Sequence, residues 1–201
     1  MLPGIAKSKH RERKERVLSN EWIMRIFELP QPYFHVDLGC GANKRGADIG
    51  IDYTFDGTVA DMKVNIGFEA LPFRDNSVSL VTAYHLLEHI PKVVWNGEGD
   101  GVETRFPFIF LMHEIWRVLK PGGIFESITP VCEPGLNQDP THVTQINEHT
   151  FKYFAGKENP ERNVYGSLIS CSFEIVRTEI LRDRRTKMKS VLHAILEKPV
   201  A

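Results

Sequence analysis

The chain has 201 residues, 42% of them hydrophobic and 25% charged, with a formal net charge of -1. This is the profile of one ordinary globular domain with length enough to enclose a core, and the near-neutral charge supplies no bulk attraction to nucleic acid or anionic membrane. Three cysteines (Cys40, Cys132, Cys171) without C-x-x-C spacing exclude a disulfide framework and a cysteine-rich zinc site.

No apolar run is long enough for a transmembrane helix, and the charged stretch 7–16 replaces a signal-peptide core, so a cytoplasmic protein is expected. Residues 1–32 read as a basic, amphipathic segment preceding a domain over 33–201. Within it a helix is expected at 9–28, apolar at Val17, Leu18, Trp22, Ile23, Ile26 and Phe27, and stopped by Pro30 and Pro32. The basic cluster from Lys7 to Arg16 has a counterpart from Arg182 to Lys189; both read as solvated faces, with a nucleic-acid patch as the competing reading.

Strands follow at 33–38, 47–53, 58–64 and 79–83, then a helix opening at 85–89. A further helix at 108–119 is apolar at helical spacing and ends at Pro121-Gly122-Gly123. A strand at 124–129 comes next, then a long loop and a helix around Phe151-Lys152-Tyr153-Phe154. Two strands, 173–181 and 189–196, flank a polar turn and read as an antiparallel hairpin. Alternating strands and helices imply an α/β, Rossmann-like, doubly wound and mostly parallel seven-stranded sheet ending in that hairpin.

Val36-Asp37-Leu38-Gly39-Cys40-Gly41 is a strand feeding a glycine turn, where backbone can approach a ligand at the carboxyl edge of the sheet. Lys44 stands where a third glycine would complete a dinucleotide fingerprint, which disfavours a pyrophosphate cradle and a nicotinamide-dependent oxidoreductase. Asp52 closes the second strand eleven positions after Gly41, and a carboxylate there can accept both hydroxyls of a ribose.

These residues resemble the class I S-adenosylmethionine-dependent methyltransferases, in particular their type 11 group. The resemblance continues through Gly50-Ile51-Asp52-Tyr53, Leu71-Pro72-Phe73-Arg74-Asp75-Asn76-Ser77-Val78, Leu86-Leu87-Glu88-His89-Ile90 and Arg117-Val118-Leu119-Lys120-Pro121-Gly122-Gly123. The stretch Gly41-Ala42-Asn43-Lys44-Arg45-Gly46 is similar to a branch with a shortened first helix.

The resemblance implies S-adenosylmethionine as cofactor, with Asp37, Gly39 and Gly41 at its methionine end. It implies Asp52 on the ribose, Tyr53 against the adenine, and Asn65 with Ile66 at the adenine amine, Asp61 being the alternative. Two departures stand out: Asn65 replaces an acid, and Ser79 an Asp. Tyr84 and His85, after the fourth strand, would line the methyl-donor pocket.

Methyl transfer needs alignment of the acceptor, and a base only where the acceptor loses a proton. His85 and His142 are the candidates, His142 lying in Asp139-Pro140-Thr141-His142-Val143. Glu88 and His89 read first as helix-terminal residues, the base role being the alternative. His85, Glu88, Asp139 and His142 show no metal-ligand spacing, so no metal is expected. The segment 95–105, with three glycines and three acids, reads as a mobile acidic loop capping the acceptor site and preferring cationic or polar acceptors.

The sequence thus implies a methyltransferase with an unidentified acceptor, a small molecule being favoured. A non-catalytic cofactor-binding module or partner subunit is the first alternative, and an RNA or DNA methyltransferase the second. Neither the amino-methylating tetrad nor the Pro-Pro-Cys of cytosine enzymes occurs; Cys132 follows Val131. No membrane partner is expected, and the oligomeric state stays open.

Overall fold

The structure, a computed structural model, describes residues 34–98, 101–131, 139–156, 168–181 and 190–200. The expected helix at 9–28, both basic clusters and Cys132 lie outside the described residues. Seven strands form one sheet: β1 (His35–Leu38), β2 (Ile49–Asp52), β3 (Met62–Lys63), β4 (Val78–Tyr84), β7 (Leu119–Pro130), β8 (Glu174–Leu181) and β9 (Val191–Glu197). Their spatial order is β3-β2-β1-β4-β7-β9-β8. The first five pair in parallel, and β9 inserts antiparallel between β7 and β8. The expected parallel sheet with a terminal antiparallel hairpin is what forms.

β1 and β2 are internal strands, and their burial patterns explain their sequences. Every residue of Ile49–Asp52 is buried, as are Val36, Asp37 and Leu38, so these strands are covered on both faces. β7 instead alternates buried and half-buried positions, the period-two signature of one core face. It begins at Leu119, so Pro121-Gly122-Gly123, expected only to end a helix, lies within the strand; pairing with β4 slips its register between Val78 and Leu80.

Helices are fewer than the periodicity implied. Among the described residues there is one α-helix, α1 (Pro107–Val118), opening with proline and burying Phe108, Leu111, Met112, Ile115 and Val118 against the sheet. The expected helix at 85–89 is a single 3₁₀ turn, Leu87–His89, because Ile90 turns to extended backbone ahead of Pro91. The expected helix near Phe151 is likewise a 3₁₀ turn, Thr150–Phe154. Asn147 closes its start, its Oδ1 accepting the N–H groups of His149 (3.0 Å) and Thr150 (3.2 Å).

No helix separates β1 from β2, as the short spacing requires. The segment expected as a mobile acidic loop also differs. Val94–Glu98 (β5) and Gly101–Arg105 (β6) pair as a two-stranded antiparallel ribbon, with Trp95 opposite Thr104. Val94, Trp95, Val102 and Thr104 carry the strand preference that the glycine count obscured. Among the described residues no helix is long and apolar enough to cross a membrane.

Candidate functional site

The site is built at the carboxyl edge of β1, β2 and β4. After Leu38 the backbone enters the left-handed region at Gly39 (φ 65°) and Gly41 (φ 52°). A Cβ on Gly39 would stand 2.9 Å from the Leu86 side chain, whereas one on Gly41 would meet nothing within 4 Å. Gly39 is therefore fixed by packing, and Gly41 faces open space, as a residue under a ligand must. The Gly39 and Cys40 N–H groups both donate to the Ile51 carbonyl (2.8 and 3.1 Å), tying the turn to β2.

Asp52, buried at the end of β2, faces this turn. Its Oδ2 accepts the Gly41 N–H (3.0 Å) and its Oδ1 accepts the Tyr53 N–H (2.8 Å). A carboxylate offers about four lone-pair sites, so each oxygen retains acceptor capacity for a ribose hydroxyl. Tyr53 is 70% exposed. Together with Lys63, Asn65 and Glu69 it lines a cavity of about 370 Å³. Glu69 accepts the Asn65 N–H (2.8 Å), while the buried Ile66 bridges to Glu69 through its backbone.

Asp61, the alternative at the adenine amine, is engaged elsewhere. Its Oδ2 accepts both the Gly50 N–H (2.8 Å) and the Lys44 ammonium (2.8 Å), so it clamps the β1–β2 loop.

Asp37 is fully buried. Its Oδ1 accepts a 2.6 Å bond from the Thr82 hydroxyl, while its Oδ2 accepts none. Because Thr82 donates its proton there, His35 Nε2, 2.8 Å from the same hydroxyl oxygen, is the protonated nitrogen of its ring. Arg45 stands 3.8 Å from Asp37 Oδ2, and its Nη1 is buried without a hydrogen-bond partner. The guanidinium also lies 4.6 Å over the Tyr84 ring. Burial pushes the Asp37 carboxyl upward, opposed by Thr82 and Arg45.

An unsatisfied buried acceptor beside an unsatisfied buried donor is what an incoming zwitterion can complete, one group for each charge. These residues fit the methionine end of S-adenosylmethionine. Arg45 and Thr82 were missed as site residues in the sequence. The basic position in the shortened loop was visible, but its inward direction depends on a left-handed backbone at Arg45 (φ 51°).

Two other polar groups are not reactive ones. Burial and the acids Asp52, Asp37 and Asp61 push the Cys40 thiol up to about 11, which keeps it protonated at neutral pH. Burial and Glu126 push the Tyr84 hydroxyl upward, so it serves as wall and hydrogen-bond partner, not base.

His85 carries a left-handed backbone (φ 56°) that glycine normally occupies, held by its N–H donating to the Ile128 carbonyl (2.8 Å). Its Nδ1 is 3.5 Å from Glu88 Oε1. His142 arrives from the loop after β7: its ring meets that of His89 edge-on at 4.8 Å, and its Nε2 is 3.7 Å from Asp139. Glu88, His89 and His142 present ligand atoms all within 4.8 Å of one another, although fifty-three positions separate the two histidines.

A second cavity, about 330 Å³ and mainly apolar, lies between the start of α1 and the 3₁₀ turn at 150–154; Val93, Phe106, Phe108, Tyr153, Phe154 and Ile169 line it. Away from this edge, the Leu71-Pro72-Phe73 and Arg117 motifs prove to be one strut. Glu114 accepts the Leu71 N–H (2.7 Å), and Arg117 donates to Glu114, Asp75 and the carbonyls of Leu71 and Phe73.

Residues 56–126 match the family described as a methyltransferase domain. No curated protein matches the chain. Among solved structures, a SAM-dependent methyltransferase from Archaeoglobus fulgidus is 14% identical, with 88% of this chain and 91% of that chain covered and a TM-score of 0.55. A 16S rRNA (adenine(1408)-N(1))-methyltransferase mutant with cosubstrate SAM, from Catenulisporales acidiphilia, is 11% identical, with 91% and 92% covered and a TM-score of 0.51. The [4+2]-cyclase SpnF is 16% identical, with 90% and 80% covered and a TM-score of 0.52.

The fold is that of the class I, Rossmann-like S-adenosylmethionine-dependent methyltransferases, and residues 56–126 match the methyltransferase-domain family. S-adenosylmethionine is the cofactor of that class.

Proposed function

We propose that the chain is an active methyltransferase that binds S-adenosylmethionine across the Gly39–Gly41 turn and passes its methyl group to a small-molecule acceptor. The observation that carries this reading is the pair of buried groups without hydrogen bonds, Asp37 Oδ2 and Arg45 Nη1, beside the turn whose Gly41 N–H donates to Asp52. In this reading Asp37 and Arg45 hold the ammonium and carboxylate of the methionine end, and Asp52 holds the ribose. Tyr53 covers the adenine beside Asn65 and Ile66.

The bound cofactor supplies an electrophilic methyl group. The chain's own part is to align the acceptor and exclude water. Tyr84 ends β4 and His85 follows it, and the loop carrying His142 is bonded to the next turn at Glu88. His85 and His142 are the side chains this reading gives to the acceptor, whether to orient it or to take its proton. The apolar cavity near α1 favours an acceptor with an apolar or aromatic body, which replaces the preference for cations expected from the acidic segment.

The fold alone does not require methyl transfer, since the [4+2]-cyclase shares it. A non-catalytic module therefore competes. Isothermal titration of the folded protein with S-adenosylmethionine, S-adenosylhomocysteine and NAD tests the first half: uptake of the first two only is expected, and failure of both to bind rejects the reading. Turnover with panels of small acceptors and RNA tests the second. An RNA acceptor has the basic ends in its favour, and methylation of RNA alone would replace the small-molecule assignment.

A further inference from the structure

We infer that Glu88, His89 and His142 form a binding site for a divalent transition-metal cation. A nitrogen from each imidazole and an oxygen from the carboxylate all lie within 4.8 Å of one another. Two imidazoles and one carboxylate suit ions such as zinc, cobalt or iron, which bind nitrogen and carboxylate oxygen at about 2.0–2.2 Å.

The independent observation is the state of Glu88. It is 2% exposed, and neither carboxylate oxygen accepts a hydrogen bond. A buried carboxylate is normally bonded through both oxygens, and one left without donors marks a position for a cation. His85 Nδ1, at 3.5 Å, is the nearest positive candidate but lies beyond hydrogen-bond contact in this arrangement.

The ligands are held ready. The N–H groups of Val143 and Thr144 both donate to the Glu88 carbonyl (2.9 and 3.0 Å), and the Thr144 hydroxyl donates to the Ile90 carbonyl. These bonds pin the His142 loop onto the Leu87–His89 turn. His89 Nδ1, 3.1 Å from the Thr141 carbonyl, donates its proton there, which leaves the Nε2 lone pair for a ligand bond. Asp139 Oδ2 stands 3.7 Å from His142 Nε2, an ion-pair contact and not a hydrogen bond. Thr141 fixes that carboxylate through its N–H (2.8 Å) and hydroxyl (2.6 Å). Carboxylate and carbonyl groups behind ligating histidines are the usual outer shell of a metal site.

Three protein ligands leave at least one position of the ion for water or a substrate oxygen. Where the methyl-transfer reading also holds, that position would take an oxygen of the acceptor, which narrows the acceptor to oxygen-bearing compounds. His142 is then a ligand and not a base.

The test is direct titration of chelator-treated, desalted full-length protein with Co²⁺, read by visible absorption and isothermal calorimetry. One saturable Co²⁺ per chain is expected, with affinity lowered at least about 30-fold in Glu88→Gln and in His142→Ala. Circular dichroism of each variant verifies folding, and Glu88→Gln preserves shape should His142→Ala fail that check. Absence of stoichiometric Co²⁺ uptake by the wild type overturns the site, as does equal affinity in both variants. S-adenosylmethionine titrated into the same wild-type sample separates the two readings. Cofactor uptake without Co²⁺ uptake removes only the metal site, and the reverse removes only the methyl-donor reading.

Discussion

Two buried glutamates are treated in opposite ways. Glu114, on α1, accepts from Arg117 through both oxygens (2.8 and 2.7 Å) and from the Leu71 N–H. Glu88, on the turn after β4, is more deeply buried and accepts nothing. Asp37 is intermediate in treatment, one oxygen bonded to Thr82 and the other without a hydrogen bond, 3.8 Å from Arg45. The helix seam spends its charges on itself, whereas the carboxyl edge of the sheet leaves its charges incomplete. Buried charge without partners lowers stability, so where a fold retains it the compensation comes from what binds there. The same comparison orders the expected effects of substitution.

The largest effect belongs to the seam. Arg117→Ala removes donors from Glu114, from Asp75 and from two carbonyls, and strands a buried carboxylate. Breaking such a pair costs about 3 kcal/mol, the low end of the buried range because Arg117 is itself part-exposed. Scanning calorimetry should show a fall of roughly 10 °C in Tm, with cofactor affinity of the folded fraction unchanged. A fall of under about 2 °C would mean that the seam is not the satisfied region it is taken for.

Next comes Asp52→Ala, which removes the acceptor for the Gly41 N–H and the proposed ribose contact together. Two charge-assisted bonds of that kind correspond to about 100-fold in Kd for S-adenosylmethionine. Calorimetric titration that finds the affinity intact would move the ribose elsewhere and leave Asp52 a turn residue.

Asp37 supplies the pH test. Its carboxyl is raised above the ordinary 3.8, chiefly by burial, so the folded state holds this proton more tightly than the unfolded chain. For the free protein, stability from this group is fully present below 3.8 and is lost as pH rises through the raised value. Cofactor binding runs the other way, because only the ionised carboxylate attracts an ammonium. Affinity for S-adenosylmethionine is therefore expected to fall as pH drops from neutrality through the raised value, approaching about tenfold per pH unit below it. Asp37→Asn should bind more weakly at neutrality and show a flattened profile. A wild-type profile that stays level across that window removes Asp37 from the cofactor site.

What was legible in the sequence follows the same division. Val36 to Gly41 and Ile49 to Asp52 were readable because a strand, a glycine turn and a strand-end acid are local patterns, and the terminal hairpin was readable from two strand-like runs flanking a polar turn. The 3₁₀ turn at 87–89 was not, because Pro91 acts on a helix too short to resist it. The ribbon at 94–105 was hidden by its glycines. Arg45 and Thr82 escaped notice because their roles depend on which way a loop and a central strand turn their side chains. The triad of Glu88, His89 and His142 could not be seen at all: the two histidines meet only after β7 has crossed the sheet and its loop has folded back.

The smallest effect is the sharpest test of the opening contrast. Glu114→Gln and Glu88→Gln make the same change, one neutral amide for one carboxylate of equal size, at two sites of similar burial. At Glu114 the amide can no longer accept from Arg117 on both sides, so stability is expected to fall by about 1–2 kcal/mol. At Glu88, in chelator-treated protein, no hydrogen bond is lost and a buried carboxylate that accepts none is replaced by a neutral amide, so stability is expected to rise by about 1 kcal/mol. Thermal unfolding of the two variants beside the wild type, without metal, reads the sign. Adding Co²⁺ should then stabilise the wild type and leave Glu88→Gln behind, reversing the order of the pair. If Glu88→Gln is destabilised like Glu114→Gln before any metal is added, its carboxylate is a structural acceptor after all, and the two regions are built on one plan.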